Sequence, residues 1–141
     1  MSVLEEQLEE RLNRPWFNQL GSRLDLRAEY GGLLSGTFRS AVGGIEGSHA
    51  LTGFFSPDAD GRGATVGFAV SWHGAHSVTV WSGHFREELD TLSTTWLLSE
   101  CSSVDAWRST SVGHDKFCRS FPQQHVASPV SSSAPDLSRA R

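Results

Sequence analysis

The sequence lacks several features that would assign it at once to a familiar class. No apolar run approaches the roughly 18 residues that a membrane-spanning helix needs. Basic residues are not in excess, since 12 Lys and Arg stand against 16 Asp and Glu, for a formal net charge of −4. This balance gives no electrostatic footprint for nucleic acid or for an anionic membrane surface. We therefore expect a protein whose partners are neither nucleic acid nor membrane.

Cysteine is scarce, and no secretory leader is visible. Residues 1–14 are rich in Glu and lack the apolar stretch of a signal peptide, so the chain as given is expected to be cytoplasmic. Secretion stays open if the start is truncated or miscalled. The two cysteines are Cys101 and Cys118. Because a reducing compartment keeps thiols reduced, we expect both to be free, with a disulfide as the alternative.

Glycine and tryptophan are abundant, at 14 and 5 residues in a chain of 141. The length fits one domain, and these residue types indicate tight turns and large flat apolar surfaces. Short strand-like runs recur at roughly ten-residue spacing. The predicted strands are 16–20, 23–28, 33–40, 50–56, 64–72, 76–85, 91–99 and 109–117. We predict an all-β fold, a sandwich or an up-and-down barrel; a closed meander of about eight strands has room for one small ligand.

The two ends of the chain differ from this pattern. Leu4, Leu8 and Leu12 recur every four residues and predict a short helix, which alone would be marginal in water. We treat it as an appendage that packs only where a surface accepts it. Ser, Pro and Ala dominate the other end, which is typical of a disordered tail. The expected organisation is an N-terminal extension over 1–14, a barrel over 15–120 and a flexible tail over 121–141.

The alternation in the sixth predicted strand indicates what lines the interior. Ser77, Thr79 and Trp81 share one face, and Val78 and Val80 share the other. If Trp81 points inward it carries the two hydroxyls with it, and the valines need burial against another subunit. Other predicted strands repeat this mixture of large apolar and small polar residues, which is the composition of a pocket for a compact ligand with a polar head. The alternative is an ordinary exposed strand with one scattered aromatic residue.

Five collinear segments resemble the avidin and streptavidin family, and they are closer to streptavidin than to avidin. They resemble the family's first strand, the start of its ligand-covering loop, its sixth and seventh strands, and its last strand with the preceding turn: 16–22, 40–43, 79–83, 95–98 and 107–117. The resemblance runs from about Trp16 to Phe117. It implies an eight-stranded antiparallel barrel, no catalytic activity, and biotin as ligand in a pocket at one end.

The resemblance also implies roles for individual residues. Asn18 and Ser22 would donate to the ureido oxygen of biotin, and Asp115 and Ser40 would accept from its two nitrogens. Thr79 would lie near the ring sulfur and Ser77 near the valerate carboxylate. The remaining residues would wall the bicycle or fill gaps around it: Trp72, Trp81, Trp96, Leu20, Val42 and Leu98. Trp107 would reach into the pocket of a neighbouring subunit, in a homotetramer.

Three departures from the family pattern bear on affinity. Phe38 stands where the family usually has a Tyr, so one donor to the ureido oxygen is missing. A hydrogen bond to a partly charged acceptor is worth roughly 1.5–3 kcal/mol, so we expect tight but weakened binding. The turn over 72–76 is shorter than the corresponding streptavidin loop, and Ser111 replaces a common Leu.

Other functions are weighed against these observations. His73 and His76 flank a turn, but no Cys or carboxylate lies beside them at metal-ligand spacing. His114 and Asp115 fall on opposite faces of a strand and so cannot form an acid–base relay. If the protein were a lipocalin-like carrier of another apolar molecule, its interior would be more apolar. If it were a ligand-free structural oligomer, it would not respond to biotin. We expect no enzymatic activity, no cofactor and no metal.

Overall fold

The computed structural model describes residues 3–42, 46–101 and 109–122. In chain order the elements are α1 (Val3–Leu12), β1 (Trp16–Phe17), β2 (Arg23–Glu29), β3 (Leu33–Arg39), β4 (His49–Pro57), β5 (Gly63–Trp72), β6 (Ser77–Arg86), β7 (Thr91–Glu100) and β8 (Thr110–Phe117). The eight strands form one antiparallel sheet in sequence order. Phe17 and Cys118 exchange backbone hydrogen bonds of 2.8 Å and so join the two edges of the sheet. The predicted up-and-down barrel is confirmed.

Most strand bounds agree with those predicted, but the first strand is wrong beyond Phe17. The side-chain oxygen of Asn18 accepts hydrogen bonds from the backbone N–H groups of Leu20 and Ser22, at 3.0 and 2.9 Å. A side chain that bonds its own following backbone replaces the strand by a turn. Gly21 completes that turn with a φ of 88°, which glycine adopts without steric cost.

The turns divide the barrel into two ends. One end, which we call the closed end, carries the β2–β3, β4–β5 and β6–β7 connections. The other end, which we call the mouth, carries the β3–β4, β5–β6 and β7–β8 connections. The β5–β6 turn at the mouth is short, and His76 lies in it with a φ of 55°. Strand β6 therefore begins at Ser77, one residue later than predicted.

Helix α1 covers the closed end. Leu8 and Leu12 are buried, and the indole of Trp16 donates to the Leu12 carbonyl at 3.0 Å. Arg11 pairs with Glu87 of the β6–β7 turn at 2.6 Å. The predicted helix is confirmed, and the barrel itself supplies the surface that the isolated segment would lack. Among the described residues, no helix is long and apolar enough to cross a membrane.

Arg119, which follows β8, packs against β1 close to helix α1. Its guanidinium lies 3.6 Å from the ring centroid of Trp16 and donates to Asp90 at 2.9 and 3.1 Å. The hydrogen bond from Arg119 lowers the pKa of Asp90 from its ordinary value. The chain that follows β8 is thereby tied to the closed end.

Both cysteines are free, as expected. Cys101 follows β7 at the mouth, whereas Cys118 follows β8 at the closed end, opposite the start of β7. Ten residues of extended chain separate these levels, a distance of roughly 30 Å. A disulfide requires Cα atoms within about 7 Å, so the two thiols of one chain cannot pair.

Candidate functional site

The inward face of β6 carries the polar residues that the alternation predicts. Ser77, Thr79 and Trp81 are buried, while Val78 and Val80 are 41% and 45% exposed. The reversed pattern, with hydroxyls inside and valines outside, is what separates this barrel from one filled only by an apolar core. Buried hydroxyls need polar partners, because an unpaired one is costly.

The Asp115 carboxylate, which is 1% exposed, organises the deep part of the interior. One of its oxygens accepts from the indole N–H of Trp81 at 2.9 Å, and the other accepts from the Asn18 amide at 3.3 Å. Gln19 donates to the same carboxylate at 3.3 Å. The three donors fix the direction of the carboxylate, and an ionised acceptor forms the stronger kind of hydrogen bond.

Both the oxygen and the nitrogen of the Asn18 side-chain amide form hydrogen bonds. Its oxygen caps the turn that leads to Ser22, and its nitrogen is thereby directed toward Asp115. An amide nitrogen carries two N–H donors, so a second donor remains beside the carboxylate. The local turn chemistry of residues 18–22 thus places a donor and an acceptor next to each other inside the barrel.

Two serines connect this turn to the loop after β3. Buried Ser22 accepts a 2.9 Å hydrogen bond from the backbone N–H of Ala41. Ser40 donates to the Val42 carbonyl at 2.6 Å and accepts from the Val42 N–H at 3.2 Å. With its own hydrogen already used, the Ser40 oxygen can serve a ligand only as an acceptor, and Ser22, which accepts here, can still donate.

Aromatic rings surround the polar cluster. Trp81 stacks on Phe68 with centroids 5.2 Å apart, and Phe38 packs against Trp81 at 4.9 Å and Trp72 at 5.8 Å. The Trp72 indole donates to Thr79 at 2.8 Å, which fixes both side chains. These rings form rigid flat walls at the centre of the barrel.

Trp96 and Leu98 form a further wall on β7, and both are buried. Gly113 of the neighbouring strand leaves the space for the Trp96 ring, since a Cβ there would lie 2.2 Å from it. The Trp96 indole nitrogen is buried and has no hydrogen-bond partner within the described residues. An unpaired buried polar atom is unusual in a folded protein, so the Trp96 nitrogen is a candidate contact for a bound molecule.

The wall nearest the mouth carries two more such atoms. The Ser77 hydroxyl and the Nε2 atom of His49 are buried, and neither has a partner in the described part of the chain. Ser77 and Trp72 also line an open cleft of about 500 Å³ beside the β5–β6 turn. At the mouth, an open cleft thus adjoins polar groups that have no partner among the described residues.

Some of the expected site residues lie at the edge of this arrangement or beyond it. Leu20 and Val42 are half-buried at the border of the pocket. Trp107 lies outside the described residues. On the outer face, His114 contacts Thr95 at 3.0 Å while Asp115 points inward, which rules out a relay between them. No group of three or more His, Cys, Asp or Glu residues in the described ranges is arranged to hold a metal ion.

The sequence that forms this barrel matches a known protein family. The Avidin family model matches residues 6–120, which is most of the chain. The chain belongs to the avidin family. In this avidin-family protein the matched segment includes all eight strands and every expected site residue, Trp107 among them.

Sequence reasoning missed four contributors to the site. Gln19 adds a donor to Asp115, Phe68 stacks on Trp81, Gly113 makes room for Trp96, and His49 points inward at the mouth. Phe68 and Gly113 share faces with predicted site residues, so the alternation contained the signal. His49 was outside the predicted strand, which began one residue later.

Proposed function

We propose that this avidin-family protein binds biotin inside the barrel, between the Asp115 cluster and the mouth. The observation that carries the proposal is the buried carboxylate beside amide and hydroxyl groups within an aromatic cage. A cyclic urea presents one oxygen acceptor and two N–H donors on adjacent atoms. Asn18 and Ser22 supply donors for the oxygen, and Asp115 and Ser40 supply acceptors for the two nitrogens.

The charge of the carboxylate adds to this complementarity. A urea that donates to an anionic acceptor and accepts from oriented N–H and O–H groups is polarised, with negative charge drawn onto its oxygen. Hydrogen bonds strengthen one another in such a chain, and the low local dielectric favours the arrangement. The donors and acceptors gathered there serve binding, and we propose no catalytic role for them.

The aromatic walls suit the rest of the ligand. Trp72, Trp81 and Trp96 enclose a compact apolar bicycle, with Leu98 filling one gap and Leu20 and Val42 at the border. Thr79 takes the position near the ring sulfur, and Ser77 the position near the carboxylate at the end of the tail. A site that encloses a ligand in this way gains affinity from rings that are already fixed before binding.

Assembly is part of the proposal. Val80, Leu97 and Val112 are paired in register across β6, β7 and β8, and all three side chains are exposed on the outside of the barrel. A contiguous exposed apolar patch fits the face of another subunit. We propose a homo-oligomer, a tetramer, in which Trp107 of one subunit covers the pocket of a neighbour and so links ligand binding to assembly.

Isothermal titration with biotin tests the proposal. The wild-type protein is expected to bind one biotin per chain. Asp115→Asn, which keeps the size and removes the charge, is expected to lose about ten- to a hundredfold in affinity, the worth of a charge-assisted hydrogen bond. Asp25→Asn is the matched control, because Asp25 pairs with Arg23 on the outer face of β2 at 2.8 Å. Absence of any heat or competition signal with the wild type would overturn the proposed function.

A further inference from the structure

His49 is an inward-facing histidine at the first position of β4. Its Cα is paired with that of Phe38, and its ring contacts the Trp72 ring edge-on with centroids 5.0 Å apart. Its Nε2 atom is buried and lacks a hydrogen-bond partner among residues 3–42, 46–101 and 109–122. A buried polar atom without a partner is costly, so its retention in a pocket wall points to a partner that arrives with the ligand.

Ser77 stands in a matching position on the other side of Trp72. Trp72 is paired with Ser77 across β5 and β6, and Leu51 is paired with Val70 across β4 and β5. If the β4–β5 pairing is extended by two residues, from Leu51 back to His49, then His49 lies opposite Trp72. The three inward side chains therefore lie in one row across β4, β5 and β6, and neither the Nε2 atom of His49 nor the Ser77 hydroxyl has a partner in the described part of the chain.

We infer that His49 adds a second donor to the carboxylate subsite, where the proposed function already places Ser77 at the end of the ligand's tail; this inference rests on the proposed function. An imidazole N–H and a hydroxyl are both donors, and a carboxylate offers two acceptor oxygens. The Trp72 nitrogen cannot compete for this group, because it already donates to Thr79.

The position of His49 favours the tail over the urea. Its ring contacts Trp72, whereas the polar cluster for the urea is built on Trp81 and Asp115. A donor at the mouth meets the last atoms of a ligand whose head is deep in the barrel.

The experiment compares biotin with biotinamide, in which the carboxylate is replaced by a neutral amide. Affinity for both is measured by competition titration on wild type, His49→Phe, His49→Gln and Ser77→Ala. Wild type is expected to favour biotin by roughly ten- to a hundredfold. His49→Phe keeps a ring against Trp72 and should reduce that preference by about tenfold or more, whereas His49→Gln keeps an N–H donor and should retain part of it.

Controls separate this subsite from the rest of the protein. His84→Ala removes an exposed histidine from the outer face of β6 and should leave the ratio unchanged. Because both ligands are measured on the same preparation, a partly unfolded variant does not alter the ratio. If wild type binds neither compound, the proposed function itself fails. If wild type binds biotin but His49→Phe leaves the ratio unchanged, or weakens both ligands equally, the subsite is refuted and the proposed function stands.

Discussion

Phe38 is the residue at which this pocket departs most from the pattern that its sequence resembles. It is fully buried and lies against Trp72 and Trp81, so the ring keeps the packing role of a tyrosine. What it lacks is the phenolic hydroxyl, a donor that would point into the polar centre of the barrel. We therefore expect this residue to affect the affinity for a ligand and not the shape of the pocket.

Phe38→Tyr is expected to slow the dissociation of biotin and to tighten binding by about ten- to a hundredfold, since one donor to a polarised oxygen is restored. The dissociation rate of labelled biotin measures the gain directly. The unfolding temperature without ligand serves as the control and should change little or fall slightly, because the new hydroxyl then has no partner. An unchanged dissociation rate would mean that another group already donates to this oxygen.

Gly113 acts on the pocket through Trp96. A Cβ at this position would lie 2.2 Å from the indole, so Gly113→Ala must displace that ring. We expect biotin affinity to fall by about tenfold or more, since the displaced ring is one of the proposed walls around the ligand. Gly67→Ala on β5 is the matched control, because the nearest atom to its added Cβ is 3.9 Å away. Titration of both variants should show a loss for the first alone.

At the scale of single residues, the sequence predicted the orientation of some side chains and not of others. The alternation in β6 grouped Ser77, Thr79 and Trp81 on one face, because the two faces of a strand are fixed by geometry, and the inward choice rested on Trp81. The turn at Asn18 was missed, since it depends on which of two competing hydrogen-bond patterns the side chain joins. The contact between His49 and Trp72 depends on strand register, which no local pattern specifies.

Helix α1 shows how an element gains stability from its surroundings. Ten residues are too few for a stable isolated helix in water. Here Leu8 and Leu12 bury their side chains against the closed end, and Arg11 reaches the Glu87 carboxylate. Because the exposed ion pair contributes little, the two leucines supply most of the attachment.

Leu12→Ala is expected to lower the free energy of unfolding by about 2–5 kcal/mol, through lost burial and the cavity that remains. Leu4→Ala on the same helix should cost about 0.5 kcal/mol or less, because Leu4 is exposed. Denaturant titration measures both. Biotin affinity of the folded Leu12→Ala protein should be unchanged, since the helix and the pocket lie at opposite ends of the barrel. A loss of affinity in that variant would contradict this separation.

The whole barrel presents two different outer surfaces. The strands β6 to β8 carry the row of Val80, Leu97 and Val112, which are 45%, 49% and 65% exposed. The outer face of β2 and β3 instead carries Arg23, Arg27 and Arg39. We therefore expect the apolar row of β6 to β8 to be the side that packs against a second copy.

Combined Val80→Glu and Leu97→Glu substitutions are expected to reduce the mass of the assembly in solution, because each carboxylate would be buried in the contact at a cost of at least about 2 kcal/mol. Light scattering after size exclusion gives the mass. Thr37→Glu on the outer face of β3 is the control and should leave it unchanged. A wild-type protein that elutes as a monomer would argue against the proposed assembly.

At the scale of the molecule, the fold followed from the sequence more completely than the site did. Turn residues at regular spacing predicted about eight strands and left a sandwich and an up-and-down barrel open, and the family resemblance favoured the barrel. The packing of α1 onto the closed end did not follow, because the surface that accepts it exists only once the strands have assembled. The tail from residue 123 onward lies outside the described residues.

The position of the thiols has a practical consequence. Cys101 is exposed beside the mouth, where its backbone N–H bonds the His76 carbonyl at 3.0 Å, while Cys118 is half-buried at the far end. An electrophilic dye added in limiting amount should therefore react first at Cys101, since accessibility governs such selectivity. The protein then carries a fluorescent reporter at its entrance, and each molecule that enters the barrel can be followed as a change in emission.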